Sequence, residues 1–89
     1  MYKIVYTKQA VKDIQNLKGA KLDKKAKELI EIIKANPYQT PPPIDPLKGN
    51  LKGAYSRRIN IQHRLVYQVY EEEMVVKILN MWTHYDNIH

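Results

Sequence analysis

Cysteine is absent from this 89-residue chain. Neither a disulfide framework nor a thiolate metal site can therefore staple the fold. Long apolar runs are absent too. The opening residues, MYKIVYTKQA, alternate apolar and polar side chains. They lack the continuous apolar stretch of a signal peptide, and no later segment reaches the length needed to cross a membrane. The expectation is one soluble cytoplasmic domain spanning 1–89. At this length the core must be single and modest. The chain also lacks a glycine-rich phosphate cradle, a nucleophile elbow and any metal-ligand spacing. Its histidines, His63, His84 and His89, are too scattered to suggest a metal site. No cofactor or metal is expected.

One stretch lacks acids altogether. Residues 46–70 carry Lys48, Lys52, Arg57, Arg58 and Arg64 with no carboxylate, inside a chain of net charge +6. Residues 1–45 hold nine lysines against five acids, and residues 71–89 hold four acids against Lys77. All three arginines thus lie in the middle segment. A guanidinium presents a planar fork that suits phosphate, whereas an ammonium acts as a point charge. A basic segment of this kind favours a polyanionic partner, nucleic acid first, and a solvated basic surface is the plainer alternative.

What is present reads as alternating elements. Residues 2–7 alternate and are rich in Tyr, Ile and Val, as a strand requires. Thr7 is a candidate N-cap for a helix near 8–18, in which Ala10, Val11, Ile14 and Leu17 fall at helical spacing and which Gly19 breaks. A second helix near 21–35 places Leu22, Ala26, Leu29, Ile30 and Ile33 on one stripe, and Pro37 ends it. Residues 36–53 form an irregular segment in which prolines 41–43 should run extended and stiff. Strands are expected at 54–61, 63–70 and 74–82, with a turn at 71–73. The last is nearly continuous in apolar character, as in a central strand covered on both faces. The order β-α-α-β-β-β predicts an α+β domain with two helices on one face of a small, mainly antiparallel sheet.

An acid, several arginines and a late histidine suffice for one reaction. RNA is cut without metal when a base deprotonates the 2′-hydroxyl, a cation stabilises the phosphorane, and an acid protonates the leaving 5′-oxygen. Alternation refines the candidates. Arg57 and Arg58 point to opposite faces, so at most one joins a site. Arg64 faces away from the row Leu65, Tyr67 and Val69. His63 points opposite to Arg64 and reads as structural, and Trp82 reads as a packing residue.

The contiguous motifs S-R-R-I-x-x-x-H-R-L-V-Y and W-T-H-Y, within PLKGNLKGAYSRRINIQHRLVYQV and ILNMWTHYD, cover about half the chain. They resemble the YoeB/Txe branch of the RelE/ParE toxin–antitoxin superfamily. The resemblance implies a RelE-like fold and a ribosome-dependent mRNA interferase, a metal-independent endoribonuclease. It implies Arg64 as the phosphate-stabilising arginine, His84 as general acid and Tyr85 as a base-positioning residue. Arg58 and Lys48 would be secondary phosphate contacts. The family's general base is a glutamate just before a Pro-Leu-Lys-like segment, and this chain has Asp45 there, one methylene shorter. A lone Asp before Pro is otherwise turn chemistry. Implied partners are mRNA on the ribosome, an acidic antitoxin of the YefM/Axe kind and a second toxin copy, with no membrane. A gyrase-poisoning relative, a non-catalytic RNA-binding module and a weakened family member are the rival readings.

Overall fold

A computed structural model of the chain describes residues 1–49 and 53–83. The elements are β1 (Lys3–Tyr6), α1 (Lys8–Gly19), α2 (Asp23–Ala35), β2 (Asp45–Pro46), β3 (Ala54–Arg58), β4 (Arg64–Tyr70) and β5 (Val75–Thr83). They form one sheet in the order β1-β5-β4-β3-β2. β1 runs parallel to β5, from Lys3 opposite Val75 to Tyr6 opposite Ile78, and every other pair is antiparallel. The fold is the expected α+β arrangement, with β5 between β1 and β4. Among the described residues, neither helix is long and apolar enough to cross a membrane.

The helices form where side-chain spacing gives them a buried stripe. Thr7 caps α1 by accepting from the Ala10 N–H at 3.0 Å while its hydroxyl donates to the Leu79 carbonyl. α1 buries Ala10, Asp13 and Leu17. Val11, read as part of the apolar stripe, is instead exposed. Gly19 does not break the helix. The chain turns two residues later at Lys21, whose φ of 61° is left-handed. Lys21 N–H bonds the Lys18 carbonyl and Leu22 N–H bonds that of Leu17, a helix-closing pattern usually built on glycine. α2 buries Ala26, Leu29 and Ile33. These meet Leu65 and Tyr67 of β4 and Val76, Ile78 and Met81 of β5 in one core on one face of the sheet.

Ile78 and Met81 are three residues apart, so a regular strand would point them to opposite faces. Register shifts between β4 and β5 around Val66, with Val66 opposite Asn80 and Tyr67 opposite Ile78, insert extra residues in β5. Such a bulge re-aims side chains, and both residues enter the core.

Three other expectations change. The strand expected at 54–61 ends at Arg58, because the Asn60 side chain accepts from the backbone N–H groups of Gln62 and His63 and closes a turn. Residues 41–42 form a bend, not the expected straight extended run. The segment 36–53 also contains a strand, the two-residue β2. Pro46 cannot donate to a ladder, which suits its place at a sheet edge.

Candidate functional site

β2 and β3 deliver the site. Asp45 lies opposite Ser56 in register, and Arg58 lies opposite Arg64. Directly opposed residues project to the same face of an antiparallel pair. Ser56, Arg58 and Arg64 therefore share the face away from Leu65 and Tyr67, as alternation predicts. On that face Arg64 Nη1 donates to Asp45 Oδ2 at 2.5 Å and to Ser56 Oγ at 3.0 Å. Side-chain exposure is 10% for Arg64 and 52% for Asp45. The guanidinium is thus sunk into the sheet while the carboxylate keeps one side open to solvent. Such a charge-assisted pair is stronger than a neutral hydrogen bond, and partial burial spares it much of the screening that weakens surface pairs.

Ser56 is fully buried. Its hydroxyl fixes the Arg64 fork, a role that sequence reasoning missed. The signal was available in the serine of S-R-R-I, which alternation places on the face of Arg58 and Arg64. Arg58 is exposed beside Arg64, so among the described residues two guanidinium groups share the face with the Asp45 carboxylate. Lys48 is exposed three residues beyond Asp45 and stands outside the Asp45–Arg64–Ser56 set. His84 and Tyr85 lie outside the described residues. The last residue of β5, Thr83, is opposite Arg64 in the backbone register, and His84 follows it in sequence.

The structure separates Arg57 from this set. Arg57 is wholly buried on the helix-facing side. It donates from Nε to the Tyr67 hydroxyl at 3.1 Å, from Nη1 to the Pro42 carbonyl at 2.8 Å and from Nη2 to the Pro37 carbonyl at 3.1 Å. His63 is buried and stacks on Trp82 with ring centroids 3.8 Å apart, in keeping with structural and packing roles for the pair.

Glu71 accepts from the hydroxyls of Tyr2 and Tyr38 at 2.5 and 2.9 Å. Those bonds hold its carboxyl below the usual range. The hydrogen bond to Glu71 pushes the Tyr2 phenol up; desolvation, then its own hydrogen bond to Glu71, pushes Tyr38 up strongly. Desolvation also raises Tyr67, against the opposing charge of Arg57.

With that geometry in place, comparison with known proteins is informative. The model for the YoeB-like toxin of bacterial type II toxin–antitoxin systems matches residues 6–85. Toxin YoeB of Synechocystis is 41% identical over 56 residues, 63% of this chain and 65% of that protein. Toxin YoeB of Escherichia coli K12 is 42% identical over 53 residues, 60% of this chain and 63% of that protein. The matched segment thus spans just under two thirds of either relative. Among solved structures, the Staphylococcus aureus YoeB–YefM complex superposes at TM-score 0.79 with 36% identity, covering 96% of this chain and 99% of that one. A YoeB dimer from the same organism superposes at TM-score 0.80 with 37% identity, covering 94% and 98%. The family model accounts for nearly the whole chain, and the fold agrees with that of its solved members: the chain belongs to the YoeB-like toxins of bacterial type II toxin–antitoxin systems.

Proposed function

We propose that the chain is a ribosome-dependent mRNA endoribonuclease, working in the cytoplasm without metal and silenced by an acidic antitoxin. The observation that carries this reading is the Asp45–Arg64 pair, a half-open carboxylate against a sunken guanidinium seated on Ser56. Asp45 takes the proton of the 2′-hydroxyl. The freed oxygen attacks phosphorus, and Arg64 stabilises the charge of the phosphorane. The bond to the 5′-oxygen breaks, and His84 protonates that oxygen as it leaves. The products are a 2′,3′-cyclic phosphate and a 5′-hydroxyl end. Tyr85 positions a base, and Arg58 and Lys48 hold flanking phosphates.

Substrate entry sets a condition on this site. Arg64 Nη1 is shared by Asp45 and Ser56 before RNA arrives, so the scissile phosphate must compete with the Asp45 carboxylate. Displacement frees that carboxylate for the 2′-hydroxyl.

Partner binding follows the same charge logic. An acidic segment laid over Arg58 and Arg64 would neutralise the site and exclude RNA. The solved YoeB–YefM complex and YoeB dimer of relatives support a bound antitoxin and a paired toxin here. Incubation with ribosomes and message, followed by mapping of cut ends, tests the reading. Cuts within the decoded message bearing cyclic phosphate ends are expected. Intact message would overturn it.

A further inference from the structure

Arg57 is a cation with no exposed surface, and among the described residues no carboxylate pairs with it. Burying a charge is costly unless it is fully hydrogen-bonded. Here the compensation comes from two carbonyls of one loop, Pro37 and Pro42, and from Tyr67, whose hydroxyl itself donates to the Pro37 carbonyl at 2.7 Å. A planar fork spans two such acceptors as an ammonium does not.

The loop so held runs directly into Asp45. Beyond Pro42 the loop is held by Ile44, partly buried against the core, and by a short ladder. β2 has two residues, one of which is proline and donates nothing. The next tie is the Leu47 N–H to the Ala54 carbonyl at 2.9 Å. Two neighbouring residues of β3 thus hold the two halves of the ion pair from opposite faces. Ser56 seats Arg64 on one side, and Arg57 clamps the loop that carries Asp45 on the other.

We propose that Arg57 is a positioning residue for the reaction, acting through Asp45. This rests on the cleavage reading above. A displacement of about 1 Å in a reacting group is enough to cost ten- to a hundredfold in rate, and the clamp is the element that fixes the loop to that tolerance.

A double-mutant cycle on the full chain tests the coupling. Arg57→Lys alone is expected to lower kcat about tenfold with KM within about twofold. In an Asp45→Asn background the same change should cost less than about twofold, since the group it positions is already lost. An equal factor in both backgrounds overturns the proposal, as does a parent-like Arg57→Lys. A crystal structure of Arg57→Lys reads the same claim without activity, so it decides even if the parent cuts no RNA and the cleavage reading fails. The Asp45 carboxylate should lie about 1 Å or more further from Arg64 Nη1 than the 2.5 Å of the parent, and an unchanged distance overturns the proposal. Should that variant not fold, Tyr67→Phe removes one strut of the clamp, and the same distance in its structure decides in the same way.

Discussion

Asp13 Oδ2 accepts the backbone N–H of Met81 at 2.8 Å, joining α1 to β5 across 68 residues. The carboxylate is buried, and its other oxygen accepts from Gln9 Nε2 at 2.8 Å. Met81 stands beyond the last β1–β5 pair, Tyr6 with Ile78, so β1 does not reach its N–H. Asp13→Ala strands that donor and should cost about 2 kcal/mol. Urea unfolding with an unchanged slope would measure it. A loss below about 0.5 kcal/mol would mean that water replaces the carboxylate.

Arg64→Ala should lower cleavage by roughly two orders of magnitude, the usual consequence of losing one transition-state donor. Arg64→Lys should not restore it, because an ammonium is a point charge without the planar fork that suits a phosphorane. The expectation from sequence is a polar face and an unaffected fold. The observed burial of Arg64 and of Ser56 beneath it adds a stability loss of about 1 kcal/mol. Rates measured on protein shown folded by circular dichroism separate the two effects. Near-parental cleavage would remove Arg64 from the site.

Asp45→Asn should depress cleavage at neutral pH by about a hundredfold or more, in line with the usual contribution of a general base. Asp45→Glu, which keeps the charge and lengthens the arm, should change it by only a few-fold. Single-turnover rates across neutral to mildly acidic pH are the readout. An Asp45→Asn protein within about twofold of the parent would leave Asp45 as a turn residue.

The Glu71 cluster should set the pH limits of stability. The folded state holds the Glu71 carboxyl below its usual range through Tyr2 and Tyr38. Its contribution is therefore present at neutral pH and is lost as pH falls through the lowered value. The phenols of Tyr2 and Tyr38 are raised above 10.0, so their contribution is complete below pH 10 and is lost as pH rises past it. Melting temperature against pH should flatten on the acid side in Glu71→Gln and on the alkaline side in Tyr38→Phe. An unchanged profile in both variants would remove the cluster from the pH response.

Lys21 holds a left-handed backbone at the end of α1. A side chain in that region costs roughly 1 kcal/mol, which glycine avoids. Lys21→Gly should raise stability by about 0.5 kcal/mol once the greater freedom of unfolded glycine is counted. A lower melting temperature would show that the Lys21 side chain has a stabilising contact.

The two helices, the long strands along the chain and the face of Arg64 were legible, because periodicities of 3.6 and 2 report which side of an element is buried. Arg57 illustrates what was not. Alternation placed it opposite Arg58, but its partners are carbonyls of a loop 15 and 20 residues away, and backbone acceptors carry no sequence signal. β2 was hidden for a related reason, since two residues with a proline have neither pattern nor propensity. Asp13 gave no signal of burial either, since its partner is a backbone N–H 68 residues away. Its burial depends on a bulge in β5 that leaves an N–H to be satisfied. Assignment of Asp45 and Arg64 to one site came from resemblance, and their contact is a tertiary fact.

The parallel pairing of β1 with β5 joins the first strand to the last. α1 likewise finds its buried partner in β5, and the β4 strand that carries Arg64 gains its second neighbour there. During synthesis the ribosome holds the newest residues in its tunnel, so the sheet cannot close until β5 has emerged. Until then Ala10, Leu17, Leu65 and Tyr67 have no common core, and Arg64 is not fixed beneath Asp45. The Asp45–Arg64 contact is therefore among the last features of the fold to form.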